Sequence, residues 1–185
     1  MKKLLFISLL SLSGCIAIFT NDGGANPMLS TDRRTASSVL LDSALEIDLN
    51  KKLSELALGK ESRIYLKSFN RHVIVLGQTP AQEDIEKISS LLASTEGVKK
   101  IYNEVSAQPS THRWQQMQDQ WTTTKIKSAM LMAPQVNPWR VHVITENNTV
   151  YLIGIVKAEE EEAIVNIAKS TAGVQRVVKI FEYKK

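Results

Sequence analysis

Apolar residues are set along this chain in a pattern that occurs twice. Leu45, Leu49, Leu53 and Leu56 recur at helical spacing and stop before Gly59, which predicts an amphipathic helix. Residues 63–69 alternate and predict a strand. Asn70-Arg71 reads as a turn, and residues 72–76 as a second, more continuously apolar strand, so the pair is a hairpin. Thr79 and Pro80 read as the N-cap and first residue of a helix that buries Ile85, Ile88, Leu91 and Leu92. Gly97 closes it, and residues 98–105 form a last strand. The order then repeats: a helix over about 117–132, a hairpin of 139–145 and 149–156 turning at Glu146-Asn147-Asn148, a helix over 158–171, and a strand over 174–183.

The repeat is also literal. Val73-Ile74-Val75-Leu76-Gly77 and Gly97-Val98 return as Val150-Tyr151-Leu152-Ile153-Gly154 and Gly173-Val174, at offsets of 77 and 76 residues. The fold class is therefore α/β (α+β): two tandem α-β-β-α-β modules, each a small three-stranded mixed sheet with two helices. A right-handed crossover makes the second and third strands of each module parallel. Gly77 and Gly154 are expected to end strands where backbones approach closely or φ is positive. Gly97 and Gly173 are expected at helix C-termini, and all four are structural. The division is residues 1–14 a leader, 15–42 a tether, 43–107 the first module, 108–116 a linker and 117–185 the second module. Each copy has its own hairpin and two helices, so the modules are expected to be separable, with a fragment from near Ser110 folding alone.

Lys2 and Lys3 precede an apolar stretch over 4–12 that is too short to span a bilayer. Leu12-Ser13-Gly14-Cys15 follows and resembles a bacterial lipobox, in which Cys15 becomes the acylated N-terminus after cleavage. The other reading is a plain secretory signal with a chance cysteine. Cys15 is the single cysteine of the chain, so no disulfide and no cysteine-based metal site is available. Ile16 stands where inner-membrane lipoproteins of the enterobacterial type have Asp, which favours the outer membrane.

A content of 43% hydrophobic and 23% charged residues excludes a multi-span membrane protein and a disordered chain. Residues 16–108 hold 11 basic and 12 acidic side chains, and residues 109–185 hold 10 and 7, so the second half suits an anionic surface better. That excess is small for a nucleic-acid partner. No nucleophile with a fitting base and no glycine-rich phosphate loop occurs. His72, His112 and His142 share neither repeat position nor metal spacing. Glu159 to Glu162 are expected to offset a helix dipole and face water. Arg33-Arg34 is expected to be solvated tether charge. No cofactor is implied, and binding rather than catalysis is expected.

The first helix of the second module carries the best candidate site. With Trp121 at zero and about 100° per residue, Thr122, Ile126, Ala129, Met130 and Ala133 share a core face. Thr124, Lys125, Ser128, Leu131 and Met132 fall on Trp121's side, with Lys127 at its edge. Trp favours the bilayer interface, Lys can lay its stem along acyl chains, and hydroxyls can donate to phosphate. The competing reading is that Trp121 packs against the other module.

The repeat, with Gly at the second strand's end and Gly-Val before the third, resembles the BON domain. A lipobox followed by two such modules resembles the dual-BON outer-membrane lipoproteins, the division- and outer-membrane-stress-associated lipid-binding family. Thr31-Asp32-Arg33-Arg34-Thr35 and Asp119-Gln120-Trp121-Thr122-Thr123-Thr124-Lys125-Ile126-Lys127-Ser128 carry it most specifically, with Val98-Lys99-Lys100-Ile101-Tyr102-Asn103-Glu104 in support. The resemblance implies a lipid-anchored protein on the periplasmic face of the outer membrane. It also implies binding of anionic phospholipids, phosphatidylglycerol and cardiolipin, through this helix. The first module's equivalent helix lacks an aromatic and carries Asp48 and Glu55, so poor lipid binding is expected there. The alternative is an adaptor that docks an outer-membrane assembly or division partner.

Overall fold

The computed structural model describes residues 33–184, so Cys15, the leader and most of the tether lie outside the described residues. Helix α1 (Ala36–Glu55) is followed by β1 (Arg63–Phe69), β2 (His72–Thr79), α2 (Gln82–Ala93) and β3 (Lys100–Ala107). The second copy is α3 (Arg113–Leu131), a 3-10 turn (Pro138–Arg140), β4 (Val141–Glu146), β5 (Thr149–Val156), α4 (Ala158–Ser170) and β6 (Arg176–Tyr183). Each module has one sheet, with the middle strand antiparallel to the first and parallel to the third. The element order and the mixed sheets are those the sequence predicts.

Helix α1 starts earlier than expected. Thr35 caps it, its Oγ1 accepting the Ser38 N–H at 3.1 Å. Residues 36–42 therefore belong to the first module and not to the tether. The apolar stripe misled because Leu40, Leu41 and Ile47 face solvent, while Leu49 and Leu53 supply the buried side. Helix α3 also starts earlier, at Arg113 rather than near 117, and takes up the last four residues of the expected linker. Thr79 does not cap α2. It is the last residue of β2, and its hydroxyl donates to Asp84 at 2.8 Å, while Ala81 precedes the helix without a side-chain cap.

Gly77 and Gly154 lie inside β2 and β5, not at their ends. A Cβ on Gly77, at φ 130°, would stand 2.0 Å from the Arg63 carbonyl oxygen, and one on Gly154 2.4 Å from that of Arg140. The close backbone approach is thus real, and it recurs in both copies. Gly97 and Gly173 have φ of 80° and 99° just beyond α2 and α4.

The middle strands explain how the halves assemble. Val73 and Val75 of β2 face α1 and α2, packing with Leu49, Leu53, Ile88 and Leu92. Val150 and Leu152 of β5 face Ile126, Met130, Ile164 and Ala168 in the same manner. The alternate residues, Ile74, Leu76, Tyr151 and Ile153, join Phe69 and Ile180 in a third cluster between the two sheets. A strand buried on both faces loses its alternation, which is why residues 72–76 read as a continuous apolar run. The expectation of separable modules is thereby corrected, since the two sheets share a core. Polar contacts ring this core. Arg63 and Gln78 donate to Glu146 at 2.7 and 2.8 Å, Asn70 to Glu182 at 2.8 Å, and Arg176 to Glu104 at 2.7 Å. Phe69 meets the His142 ring edge-on at 5.3 Å.

The arginine pair is not solvated tether charge. Arg34 lies over the Phe69 ring at 4.3 Å and donates to Asp42 at 2.9 Å. Arg33 donates to both oxygens of Glu160, at 2.7 and 3.0 Å. The acidic run of α4 is corrected with it. Glu160 is buried between Arg33 and Arg140, and Glu161 accepts from Lys179 and Tyr183, so only part of the run serves the helix dipole alone.

Candidate functional site

Helix α3 is bound to its module along one side. Asp119, Thr122, Ile126 and Met130 are buried there. The Asp119 carboxylate accepts the N–H groups of Asn147 and Asn148 at 2.8 and 3.0 Å, tying the helix to the β4–β5 turn. Thr123 donates to Thr145 at 2.8 Å. Lys127 reaches past the helix edge to the carbonyls of Pro138 and Val141, at 2.8 and 2.5 Å. Burial lowers its pKa from the ordinary lysine value. These contacts fix the rotation of α3, and with it what the opposite side presents.

That opposite side is apolar and open. Trp121 is 64% exposed, Trp114 67%, Met117 61%, Leu131 61% and Met132 84%. On the helical wheel Trp114, Met117, Trp121, Ser128 and Met132 fall within roughly 40° of one another's mean, with Leu131 at the margin. From Trp114 to Leu131 the stripe runs about 25 Å along the helix. A shallow depression of about 560 Å³ opens at its N-terminal half, lined by Trp114, Met117, Gln118, Gln120, Trp121 and Thr124. Trp139, 61% exposed, sits on the 3-10 turn that Lys127 holds beside the helix.

The structure therefore brings Trp121, Thr124, Ser128, Leu131 and Met132 onto one exposed side, as the sequence reading expects. It overturns the reading in which Trp121 packs against the other module. Lys125 lies half-buried at the edge, with its ammonium on the Ala172 carbonyl at 2.6 Å. Lys127 is a correction: its ammonium faces inward onto two carbonyls and braces the fold. Ala129, expected in the core, is exposed. The Thr124 hydroxyl donates to Gln120 O at 3.0 Å, so in this arrangement its proton is held within the helix and not offered to a phosphate.

Sequence reasoning missed Trp114, Met117 and Trp139 as members of this surface. The first two stand seven and four residues before Trp121, so extending the wheel backward would have found them. Among the described residues no group of His, Cys, Asp and Glu is placed to hold a metal ion, and no helix is long and apolar enough to cross a membrane.

Comparison with known proteins agrees with this architecture. The BON domain model matches twice, at residues 42–109 and 118–185. The chain is 32% identical to the outer membrane lipoprotein DolP of Haemophilus influenzae, over 99% of this chain and 96% of that one. It is 36% identical to a 21 kDa hemolysin of Actinobacillus pleuropneumoniae, over 82% of this chain and 79% of that one. Among solved structures it is similar to CdsD, a structural protein of the Type III secretion system of Chlamydia trachomatis. That match has 12% identity and a TM-score of 0.32 over 77% of this chain and 94% of that one. Two BON matches and a near full-length relative place the chain in the BON-domain family, as an outer-membrane lipoprotein built of two BON domains.

Proposed function

We propose that the second BON domain binds anionic phospholipid through the outer side of α3, and that the protein thereby supports envelope integrity from the periplasmic face of the outer membrane. Cys15, freed by cleavage of residues 1–14, is the acylated residue in this reading, and the protein binds rather than catalyses. The observation that carries the proposal is Trp121, 64% exposed at the middle of a stripe that also exposes Trp114, Met117, Leu131 and Met132. A soluble domain gains nothing from holding so much apolar surface in water. At a headgroup layer the indole rings find both an apolar and a polar environment. Phosphatidylglycerol and cardiolipin are the ligands the reading takes, with Lys125 and the Thr124 and Ser128 hydroxyls at the level of the phosphates.

Flotation of residues 16–185 with vesicles tests this. Binding to vesicles containing phosphatidylglycerol, and little binding to purely zwitterionic ones, is expected. Equal binding to both removes the anionic specificity, and no binding to either removes the function.

A second reading is an adaptor for an outer-membrane assembly or division partner. It is favoured by the exposed Leu40, Leu41 and Ile47 of α1, an apolar face without an aromatic residue and on the other module. Such a role is indifferent to lipid charge.

A further inference from the structure

Asp84 in the first module and Glu160 in the second occupy the same place, the third residue of α2 and of α4. Asp84 is satisfied inside its own module. It accepts from Gly59 N at 3.1 Å, Ser62 Oγ at 3.3 Å and Thr79 Oγ1 at 2.8 Å. Glu160 is one methylene longer and does more. It accepts the Lys157 N–H at 2.8 Å, both terminal nitrogens of Arg33, and Arg140 Nη1 at 3.0 Å. Arg33 also donates to the Ile155 carbonyl at 3.1 Å. The Arg33 and Glu160 side chains are only 9% and 11% exposed. Burial by itself would raise the Glu160 pKa, but the Arg33 hydrogen bonds, the Lys157 N–H and Arg140 hold it below the ordinary glutamate value. The clamp is therefore closed and ionised at neutral pH.

The two arginines come from informative places. Arg33 lies eighteen residues after Cys15, so about 60 Å is the most that can separate the clamp from the acylated residue. Arg140 is the neighbour of Trp139, whose ring is exposed on the 3-10 turn. Lys127 grips the same turn from α3, four residues ahead of Leu131. A run of contacts thus joins Arg33 through Glu160 and Arg140 to the turn that bears Trp139 and to the margin of the α3 stripe.

We propose that the Arg33–Glu160–Arg140 clamp fastens the lipid-anchored segment on the side of the second module that carries Trp139, so that Trp139 and the α3 stripe meet the bilayer holding the anchor. Trp139 is then a further membrane-contacting residue, and Arg33 is a positioning residue that touches no lipid. The proposal rests on the lipid reading of α3. Its physical sense is effective concentration: a surface tethered close to a bilayer binds it only if it is turned the right way. Without the clamp the chain is held last at Arg34, on Asp42 and Phe69 of the first module.

The test uses the full acylated lipoprotein in phosphatidylethanolamine–phosphatidylglycerol vesicles carrying a nitroxide near the headgroups. All three tryptophans are replaced by 5-fluorotryptophan, which keeps the stripe intact, and the quenching of the Trp139 and Trp121 fluorine resonances is read in the same protein. Quenching of Trp139 by twofold or more is expected, and a fall in that quenching of threefold or more on adding Arg33→Gln. Circular dichroism checks that the variant is folded. Arg33→Lys, which keeps the charge and loses the bidentate grip, replaces it if it is not. Quenched Trp121 with unquenched Trp139 overturns the proposal and leaves the lipid reading standing. Unquenched Trp121 overturns the lipid reading and the proposal together. Trp139 quenching that is unchanged in the folded Arg33 variant overturns the clamp's role. A second copy covering Trp139 gives no quenching and a concentration-dependent dimer, which also overturns it.

Discussion

Asp42 and Asp119 stand 77 residues apart and hold the same part of each module. Asp42, on α1, accepts the N–H groups of Asn70 and Arg71 at 2.6 and 2.8 Å. Asp119, on α3, accepts those of Asn147 and Asn148. All four turn residues have positive φ, between 46° and 67°, as two-residue hairpin turns that follow the strand twist require. The turn's N–H groups point away from the ladder, and a buried carboxylate from the first helix collects them. In each module one carboxylate thus ties the first helix to the hairpin turn.

Asp42 makes a prediction about pH. Burial opposes its charge, but the Arg71 N–H, the Ser68 hydroxyl, the Asn70 N–H and Arg34 outweigh that and hold its pKa below 3.8. A folded pKa below the unfolded one means that the stabilisation is complete above the unfolded value and is lost as pH falls toward the folded value. Asp42→Asn should cost about 3 kcal/mol at pH 7. Its Tm should fall less than that of the parent between about pH 5 and pH 3. Parallel curves for the two proteins would show that this carboxylate does not drive the acid response.

The glycines give a graded series. Gly77→Ala brings a Cβ to 2.0 Å from a backbone oxygen at φ 130°, and Gly154→Ala brings one to 2.4 Å. Backbone atoms cannot step aside without opening the β1–β2 or β4–β5 pairing. Both should cost more than about 3 kcal/mol, Gly77 the more. Gly97→Ala meets nothing within 4 Å and pays only for its left-handed φ, about 1 kcal/mol. Urea unfolding of the three variants checks the order, and a Gly97 variant as damaged as the others contradicts it.

The shared core predicts that the second module does not stand alone. A fragment from Ser110 onward would expose Tyr151, Ile153 and Ile180, which pack against Phe69, Ile74 and Leu76 in the full chain. Its unfolding should be broad or absent, with strong binding of an apolar dye. Phe69→Ala in the full chain should cost about 3–5 kcal/mol and destabilise both modules in one transition. A sharp, independent transition for the fragment would show that the sheet faces contribute little.

The element order could be read from the sequence because periods of two and 3.6 are written in neighbouring residues. What could not be read depends on partners distant in the chain. Arg33 meets Glu160 across 127 positions, and no local pattern distinguishes it from a solvated arginine. The apolar run of β2 was legible, but not that both of its faces are buried or that a second copy of the sheet covers one of them. Trp114 was missed for a local reason. His112 precedes α3 with no side-chain cap, so no residue marks where the helix begins. Thr35 is a good cap, but the solvent-facing Leu40 and Leu41 broke the stripe that would have confirmed the helix behind it.

Trp121 and Lys127 separate binding from folding on one helix. Trp121 lies outward, so Trp121→Glu removes an interfacial ring and sets a negative charge against an anionic surface. Vesicle binding should fall tenfold or more, which is about 1.4 kcal/mol, with Tm nearly unchanged because no core contact is lost. Lys127 lies inward, its ammonium on the Pro138 and Val141 carbonyls. Lys127→Glu replaces a donor by an acceptor at two carbonyls in a half-buried site, which should cost about 2–3 kcal/mol of stability. Its effect on lipid should pass through the turn that bears Trp139 rather than through lost charge. Lys125→Glu, at the edge of the stripe, should weaken binding modestly and flatten its salt dependence. Calorimetry and flotation on the three variants read the two properties apart. A Trp121 variant that melts early and binds normally would put that residue in the core, against its exposure. A Lys127 variant of full stability and weak binding would return Lys127 to the lipid surface.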